Sequence, residues 1–599
     1  MTYRYKIEEL EFVEGTVIKP SSLTVIVGPN NSGKSRVLKD IEGHIVGRER
    51  SPVLVSRLIH TLPKNVNELL DAYPLNIHRN NSDQYFLRSL ASDMQSQYEL
   101  HVGPAWRKNI ETAIESAGAN LSVQLASWIG PAVVSLFSTE SRLQLIKESP
   151  TGDSAMTESL LKALYFEGSR AEDAIRPLVS QAFGKDIRLD FSQLTKLLIR
   201  IGDDLSDAPV DARDCAGYYK DVEKLDDQGD GIRSFVATVL AIMVGRRPIL
   251  LLDEPEAFLH PPQAYRLGEV IAEQSTEGRQ TFVATHSSEF LRGVLSRGRD
   301  VTLVRVDRNG NTADIKILKN EDVIAISNSP LLSSTRMLDG LFYKGAIIVE
   351  ADADSTFYQR VGRQLTDADN FHFTHAHNKQ TVAKAIPPYR ALGVKHAAIV
   401  DFDAIRVEAE FVALISAFGF ETADKDQLKL WRTSVVKFIE KVSPEELLAR
   451  TLFELEAEIA RVKASPEAVG TNLSNLLGNL KRVRESGTAW KEYKEKGRAK
   501  LEIQAQEDFD NLAALCASKG LFIVPGGVLE GWLVPFGLLY TSNKQKWIVN
   551  ALDKLSEVSV DSALEPWAFI NSIFRYLGPP DEATEATAAS KGEGPLAAS

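Results

Sequence analysis

Cysteine is almost missing from this sequence, with two among 599 residues, Cys215 and Cys516, far apart in the chain. So few thiols exclude a disulfide framework and a cysteine-based zinc site, and they are typical of a reducing compartment. A chain of this length can bury large hydrophobic cores without such cross-links.

Long apolar runs are also missing. The longest lies within residues 234–245, well short of the roughly 20 residues that cross a bilayer. The first residues carry no apolar core behind a basic stretch, so we expect no secretory signal. These absences predict a cytoplasmic protein with no membrane segment.

The chain has no excess of basic charge. It holds 69 Lys and Arg against 81 Asp and Glu, a formal net charge of −12. This excludes a uniformly basic coat for nucleic acid but leaves room for a local basic groove. At roughly 150 residues per domain, the length predicts three or four structural units.

A phosphate-binding loop follows the β-branched strand at residues 22–27. The segment Gly28-Pro-Asn-Asn-Ser-Gly-Lys-Ser35 has the P-loop spacing and leads into a helical pattern. Its glycines let backbone N–H groups surround phosphates, the lysine reaches the β and γ phosphates, and the last serine coordinates Mg²⁺. The alternative is an ordinary glycine-rich turn, which the strand–loop–helix context disfavours. The predicted ATP-binding residues of this loop are Asn30, Asn31, Ser32, Gly33, Lys34 and Ser35.

A second apolar strand ends in two carboxylates, Asp253 and Glu254. The first can hold the magnesium shell, and the second can orient or deprotonate the attacking water. Alone, this pattern could be a buried strand with an acidic turn. Its pairing with the P-loop favours the ATPase interpretation.

Together with Ala284-Thr-His286-Ser, these motifs resemble the ABC-type ATPases of chromosome maintenance and DNA repair. The resemblance implies that His286 senses the γ-phosphate. It also implies a signature motif that reaches the ATP of a second subunit. The segment Gln228–Ser234, with Gly231, occupies that place but departs from the LSGGQ wording. A homodimer or higher oligomer is therefore expected, and no glutamine loop is identified.

Carboxylates also end the strands of a later α/β block. Glu350 ends one strand and Asp354 begins the helix after it, while Asp401 and Asp403 end another strand, two residues apart. Because alternate residues share one side of a strand, the pair can face one site. Strand-end carboxylates can hold one or two Mg²⁺ ions. Such ions can activate a water and stabilise the departing oxygen of a phosphodiester. The alternative is solvent-facing acids that cap strands and helices.

These acids resemble the metal site of a Toprim domain. The resemblance implies Glu350, Asp401 and Asp403 as metal-organising residues, Asp354 as a further acid and Glu530 as a ligand of a second metal, with Mg²⁺ or Mn²⁺ as the ion. Ala351 stands where the family has glycine. A lysine commonly follows the last acid. Lys544 and Lys546 are the candidates, and Lys546 is assigned the role, with a solvated surface lysine as the alternative.

An ABC-type ATPase followed by a Toprim domain resembles the OLD (overcoming lysogenisation defect) nucleases, including Gabija-type, retron-linked and PARIS-type phage-defence effectors. This implies an ATP-gated, Mg²⁺-dependent endonuclease acting on DNA or RNA, with a helicase subunit, a toxin or reverse-transcribed DNA as a defence partner. Two alternatives stay open: an ATPase sensor or scaffold whose Toprim region does not cut, and a repair or recombination ATPase. A topoisomerase is disfavoured, because no domain presenting a nucleophilic tyrosine is recognisable.

The predicted fold class is α/β, with each of two domains interrupted by a helical insertion. The predicted boundaries are an ABC ATPase at 1–60 and 206–325, a helical and dimerising insertion at 61–205, a linker at 326–344, a Toprim domain at 345–578 with an insert at about 408–510, and a disordered tail at 579–599.

Residues 481–500 are rich in Lys and Arg, with Trp490 and Tyr493 interleaved. They predict either a nucleic-acid stripe or a solvated helix face whose aromatic residues pack inward, and the second is favoured.

Overall fold

The chain forms two compact units, Met1–Ser333 and Ser334–Ser599. The computed structural model describes residues 3–48, 51–72, 77–79, 85–88, 99–101, 103–115, 129–130, 133–151, 159–209, 211–245, 247–276, 278–297, 300–309, 312–318, 321, 324, 337–366, 368–376, 379–464, 489–538 and 544–578. The predicted tail at 579–599 lies outside these residues.

The first unit alternates strands and helices. Its strands are β1 Ile7–Phe12, β2 Val17–Ile18, β3 Leu23–Val27, β4 Val55–His60, β5 Ile77–Arg79, β6 Tyr85–Arg88, β7 Glu99–His101, β8 Val134–Phe137, β9 Ser149–Pro150, β10 Asp186–Asp190, β11 Lys196–Gly202, β12 Glu223–Lys224, β13 Ile249–Asp253, β14 Gln280–Ala284, β15 Val301–Asn309 and β16 Thr312–Leu318. Its helices are α1 Lys34–Val46, α2 Val66–Asp71, α3 Pro104–Glu115, α4 Thr139–Gln144, α5 Leu160–Glu167, α6 Ser169–Phe183, α7 Ala212–Tyr218, α8 Asp230–Met243, α9 Pro261–Gln274 and α10 Ser288–Leu295.

A six-stranded sheet in the order β16-β15-β3-β14-β13-β8 organises this unit. Its strands are parallel except β16, which pairs antiparallel with β15 in the predicted hairpin. All five residues of β3 are buried, as expected for a parallel strand covered on both faces. The P-loop and the carboxylates that follow β13 therefore leave the sheet at the same, carboxyl edge.

The prediction of a helical insertion at 61–205 is wrong for part of that range, which contains strands as well as helices. Strand β8 lies inside that range and pairs in parallel with β13, so it belongs to the ATPase sheet. Strands β10 and β11 form an antiparallel pair further along. The sequence Val-Ser-Leu-Phe of β8 is only four residues long, and periodicity does not separate so short an apolar run from a helix.

The second unit contains strands β17 Gly345–Val349, β18 Phe371–His375, β19 Lys395–Val400 and β20 Leu521–Ile523. Its helices are α11 Asp352–Leu365, α12 Lys379–Ala391, α13 Glu408–Ala417, α14 Thr422–Ile439, α15 Pro444–Ala464, α16 Lys491–Lys496, α17 Ile503–Ser518, α18 Lys544–Leu555 and α19 Trp567–Leu577. The described residues of the predicted insert at about 408–510 are helical, in agreement with the expectation.

The sheet of this unit is all parallel, in the order β18-β17-β19-β20. The chain leaves β17 for β18 on one side and then returns past β17 to β19 on the other. Right-handed crossovers that run in opposite directions place α11 and α12 on opposite faces. Such a reversal opens a crevice at the carboxyl ends of the two central strands, where ligands of α/β sheets bind.

The end of the predicted linker at 326–344 is part of the second unit. A short 3-10 helix, Met337–Phe342, buries Met337, Leu338 and Leu341. It packs against β18 and α12. Burial of these apolar side chains outweighs the loop-like composition of the residues before them.

Within the residues that the structure describes, no helix combines the length and apolar composition that a bilayer crossing requires.

Two glycines let helices α9 and α10 pack closely. A Cβ at Gly293 would lie 1.9 Å from the carbonyl oxygen of Tyr265, and one at Gly268 would lie 2.2 Å from that of Phe290. Both obstacles are backbone atoms, which cannot rotate away. This close approach depends on the missing side chains.

We predict that Gly293→Ala destabilises the first unit by about 1–3 kcal/mol, because the helices must separate. Gly43→Ala is the control: Gly43 lies in α1 with no heavy atom within 4 Å of an added Cβ, so it should stabilise by about 0.5–1 kcal/mol. Thermal denaturation measures both. Equal melting temperatures for the two variants would contradict the packing argument.

Candidate functional site

The P-loop has glycine at positions 28 and 33, where the backbone adopts a positive φ that other residues rarely take. Gly28 has a φ of +150°, and a Cβ there would lie 2.0 Å from the carbonyl oxygen of Val306. Gly33 has a φ of +99°, and its Cβ would lie 2.6 Å from Cδ1 of Leu54. The glycine spacing of the motif thus has a steric cause in this chain.

Lys34 is buried and closes the loop on itself. Its Nζ donates to the carbonyl oxygens of Gly28 at 2.9 Å and Pro29 at 2.8 Å. Burial lowers the pKa of Lys34, and the carboxylates beyond β13 oppose that shift. Asn30 and Asn31 are exposed on the loop, while the hydroxyl of Ser32 is buried with no hydrogen-bond partner in the described part of the chain.

Ser35 and Asp253 meet as the motifs predict. The hydroxyl of Ser35 donates to Oδ1 of Asp253 at 2.8 Å. Burial raises the pKa of Asp253, and this hydrogen bond opposes the rise. A hydroxyl and a carboxylate at this distance can share the coordination shell of one Mg²⁺ ion.

Glu254 and His286 also come together. Nδ1 of His286 lies 3.3 Å from Oε1 of Glu254, and both side chains are partly exposed at the carboxyl edge of the sheet. Glu254 has a φ of +47°, and its N–H donates to the carbonyl oxygen of Ala284 at 2.8 Å. The backbone of Glu254 thus has an unusual conformation, and its carboxylate lies beside the histidine.

Glu256 is a member of this site that sequence reasoning missed. It is 5% exposed, and its Oε1 accepts from the hydroxyl of Thr285 at 2.6 Å and from the N–H of His286 at 3.1 Å. Nδ1 of His286 lies 3.4 Å from the same oxygen. Burial raises the pKa of Glu256. Its position could have indicated this role, because Glu256 follows Glu254 by two residues, directly after the strand that ends in the two carboxylates.

Arg142 was missed as well, and nothing in its local sequence marks it. It lies in the short helix α4, fully buried, and donates through Nη1 to the carbonyl oxygen of Asp253 at 2.5 Å and through Nη2 to that of Glu254 at 2.6 Å. Burial lowers the pKa of Arg142 to about 10, so it is charged at neutral pH. Arg142 fixes the backbone that carries both carboxylates.

Gly231 lies in the first turn of α8, in the predicted signature segment. A Cβ there would lie 2.8 Å from the carbonyl oxygen of Phe258, so the segment packs against the loop that follows the two carboxylates. Phe258 has a φ of +68° and is 55% exposed.

In the second unit, Glu350 and Asp401 meet at the ends of neighbouring strands. Oε1 of Glu350 accepts from the N–H of Asp401 at 3.1 Å. Burial raises the pKa of Glu350 to about 7, and Asp403 and Asp354 add to the rise. Burial also raises the pKa of Asp401, with Glu350 contributing. Crowding of negative charge, not only burial, therefore characterises this edge.

Asp354 and Glu530 complete the acidic cluster, and Lys544 lies between them. Nζ of Lys544 lies 3.2 Å from Oδ1 of Asp354 and 4.0 Å from Oε1 of Glu530. Burial lowers the pKa of Lys544, but the surrounding carboxylates outweigh it and hold the pKa above its ordinary value. Burial raises the pKa of Glu530, whose Oε2 is buried without a hydrogen-bond partner among the described residues.

Lys544, not Lys546, is the lysine that the structure brings to the acids. Lys546 is exposed two residues further along α18, and residues two apart point to different sides of a helix. The sequence contained both lysines, and only the rotation of α18 where it packs against α11 distinguishes them.

Asp403 is 7% exposed, and its Oδ2 lies 3.1 Å from Nζ of Lys494. Five carboxyl groups and two ammonium groups thus share this edge. Within the described residues, no three His, Cys, Asp or Glu side chains are already arranged around one metal position.

The basic stretch at 481–500 is described from residue 489 onward. Trp490 and Tyr493 are buried, so these aromatic residues pack inward as the favoured interpretation predicts. Basic side chains of the stretch pair with acids, namely Lys491 with Glu454, Arg498 with Asp510 and Lys500 with Glu492. Residues 481–488 lie outside the described residues.

Comparisons with known proteins support the ATPase unit. The family model described as "AAA domain, putative AbiEii toxin, Type IV TA system" matches residues 158–292. The Old nuclease of Escherichia phage P2 is 24% identical over 163 residues, which are 26% of this chain and 28% of that protein. The match thus spans little more than a quarter of the phage protein. The chain is an α/β protein with a P-loop ATPase domain, and part of it is similar to Old nuclease.

Two solved structures of SMC heads are also similar. The SmcHead bound to the C-winged helix domain of ScpA is 18% identical, covers 53% of this chain and 99% of its own, and has a TM-score of 0.31. The SMC head domain from Thermotoga maritima is 18% identical, covers 53% of this chain and 100% of its own, and has a TM-score of 0.28. Scores this low do not establish a common fold.

We predict that Arg142→Met lowers ATP turnover roughly tenfold or more, because the two carboxylates lose the support of their backbone. Arg247→Met is the matched control. Arg247 is also buried and donates to a carbonyl oxygen, that of Val134, but at the opposite end of β13. Both variants should lose about 1–3 kcal/mol of stability from the unpaired carbonyls. Equal losses of turnover would contradict the role of Arg142.

The raised pKa of Glu350 predicts a pH-dependent stability. Unfolded, the carboxyl ionises near its ordinary value of 4.5, whereas in the folded protein it ionises at about 7. Its destabilising effect therefore grows between these values and is complete above pH 7. In EDTA, Glu350→Gln should raise the melting temperature at pH 8 and much less at pH 5. Asp352→Asn is the control, because its side chain is 86% exposed. An equal rise in that variant would contradict an effect of burial and of neighbouring acids at Glu350.

Proposed function

We propose that this protein is a divalent-metal-dependent endonuclease whose cutting is gated by ATP. One observation carries the proposal: neighbouring parallel strands bring Glu350, Asp401 and Asp403 to one edge of the second unit, in the same chain as a P-loop ATPase. Glu530 joins them from the loop after the next strand. This arrangement resembles a Toprim site, and part of the chain is similar to Old nuclease. Both support the proposed endonuclease function.

The residues of this edge fit a divalent cation. Crowded carboxylates with raised pKa values indicate an excess of negative charge. Oε2 of Glu530, which has no hydrogen-bond partner within the described part of the chain, offers an oxygen ligand. The metal would be held by Glu350, Asp401 and Asp403, with Asp354 and Glu530 available to a second ion. Bound Mg²⁺ or Mn²⁺ would supply an activated water and stabilise the departing oxygen of a phosphodiester.

Lys544 contributes positive charge that does not depend on a metal. Its ammonium group is held by Asp354, and its pKa lies above the ordinary value, so it stays charged at the edge of the site. An ammonium in this place can bind a phosphate oxygen of the substrate as a point charge. We therefore assign to Lys544 the role that the sequence pattern gave to Lys546.

The ATPase unit would act as the switch. Lys34 would exchange its two carbonyl partners for the β and γ phosphates, and Ser35 with Asp253 would hold the magnesium of the nucleotide. Glu254 would orient the attacking water, and His286 beside it would contact the γ-phosphate. Gly231 and the exposed loop at Phe258 would face the ATP of a second subunit, so we propose a homodimer or higher oligomer.

The substrate class is nucleic acid, DNA or RNA, and a role in defence against phage follows from the resemblance to OLD nucleases. We also propose a partner from such a system, namely a helicase subunit, a toxin or reverse-transcribed DNA.

A second candidate function is an ATPase sensor whose second unit binds a partner without cutting. It is favoured by the absence, in the described residues, of three acids already arranged around one metal position. In that case Lys544 stays on Asp354 and Lys494 on Asp403, in the place of a metal. A protein that hydrolyses ATP but cuts no nucleic acid with either metal would favour it.

We predict that Glu350→Gln abolishes cleavage of plasmid, single-stranded DNA or tRNA in Mg²⁺ or Mn²⁺ while ATP binding is unchanged. Lys34→Ala should abolish ATP binding and change the dependence of cleavage on ATP. Gel assays of cleavage and fluorescent-nucleotide binding measure the two activities.

Asp352→Asn is the control for local disturbance, because this exposed side chain begins the same helix as Asp354. It should cut like the natural protein. Cleavage retained by Glu350→Gln would refute the metal site.

A further inference from the structure

The last part of the helical insert returns to the acidic edge of the second unit. Trp490 is 2% exposed, and its ring centre lies 6.4 Å from that of Phe402, which stands between Asp401 and Asp403. Helix α16 follows directly. The return segment, residues 489–500, thus packs against the turn that carries two of the candidate ligands.

The backbone of the return segment is also bonded to the loop that leads to Glu530. The carbonyl oxygen of Lys494 accepts from the N–H of Val528 at 2.8 Å, and the N–H of Arg498 donates to Pro525 at 2.9 Å. A Cβ at Gly527 would lie 2.2 Å from the carbonyl oxygen of Lys494. These contacts attach α16 to the loop that leads to Glu530.

Lys494 is placed differently from its basic neighbours. Lys491 and Arg498 pair with acids of neighbouring helices, and Lys500 pairs with Glu492 of α16 itself. In contrast, Nζ of Lys494 lies 3.1 Å from Oδ2 of Asp403. The carboxylate is 9% exposed and the lysine side chain 37%. Asp403 is thus a nearly buried candidate metal ligand whose oxygen is in contact with a lysine of the insert.

We propose that Lys494 is a positioning residue that competes with the metal: it holds Asp403 while no divalent ion is bound and releases it when one binds. This inference rests on the proposed function, because it takes Asp403 as a metal ligand. One carboxylate oxygen cannot keep a close ammonium and a divalent cation together without strong repulsion between the two positive charges. Metal occupancy would in this way be communicated to the insert.

The first test is calorimetric titration of the full-length, nucleotide-free protein with Mn²⁺ alone. Lys494→Met keeps most of the aliphatic stem and removes the charge, so Mn²⁺ should bind about tenfold more tightly. Lys494→Arg restores the charge and should bind as the natural protein does. Lys496→Met is the matched control, because this exposed lysine lies on the same helix, and its affinity should not change.

The second test reads the lysine itself. Amine acetylation followed by mass spectrometry should show a higher reactivity of Lys494 in Mn²⁺ than in EDTA, since its ammonium group leaves Asp403. The reactivity of Lys496 should be the same in both. Glu350→Gln, which weakens metal binding, should remove the Mn²⁺-dependent increase.

An affinity for Mn²⁺ that is unchanged or lower in Lys494→Met would overturn the competition, and so would an unchanged acetylation of Lys494. If the natural protein binds Mn²⁺ in the same experiment, either result contradicts only the competition and not the metal site. No Mn²⁺ binding by the natural protein, in contrast, refutes the metal site of the proposed function and this inference with it.

Discussion

Five carboxyl groups meet at the carboxyl edge of the second unit's sheet, and two lysines from separate elements contact them. Parallel strands bring them there, because the ends of β17 and β19 are neighbours and β20 lies next in the sheet. Burial raises the pKa of Glu350 to about 7, and the neighbouring Asp403 and Asp354 add to the rise. Lys544 from α18 and Lys494 from α16 supply positive charge from two separate parts of the chain. A site that holds uncompensated negative charge in this way is suited to a divalent cation.

The first unit places its carboxylates by a different means. Asp253 and Glu254 also leave the carboxyl edge of a parallel sheet, but there the backbone is held by Arg142, which donates to both of their carbonyl oxygens. Glu256 is buried behind them and accepts from Thr285 and the backbone of His286. The groups expected to contact ATP are therefore supported by two buried charged side chains, Arg142 and Glu256. Substitutions of these two residues would affect ATP hydrolysis without removing a group that contacts the nucleotide.

Short motifs with strict geometry could be predicted because their chemistry is local. The P-loop needs glycine where a Cβ would collide with Val306 and Leu54, and a carboxylate directly after a buried parallel strand must lie at the sheet edge. Arg142 could not be predicted, because it is 111 residues away from Asp253 in the chain and its own surroundings carry no pattern. Strand β8 was missed for a related reason: four residues show no period, and only pairing with β13 makes them a strand.

The P-loop, the acid-ended strands, the α/β class and the helical insert near 408–510 could be predicted from the sequence, since each depends on residues close together in the chain. Which distant groups meet could not. Folding places β8 in the ATPase sheet, brings Lys544 rather than Lys546 to the acids, and sets Lys494 against Asp403. These contacts depend on helix rotation and strand order, which are set by the burial of whole faces and which no short stretch of sequence encodes.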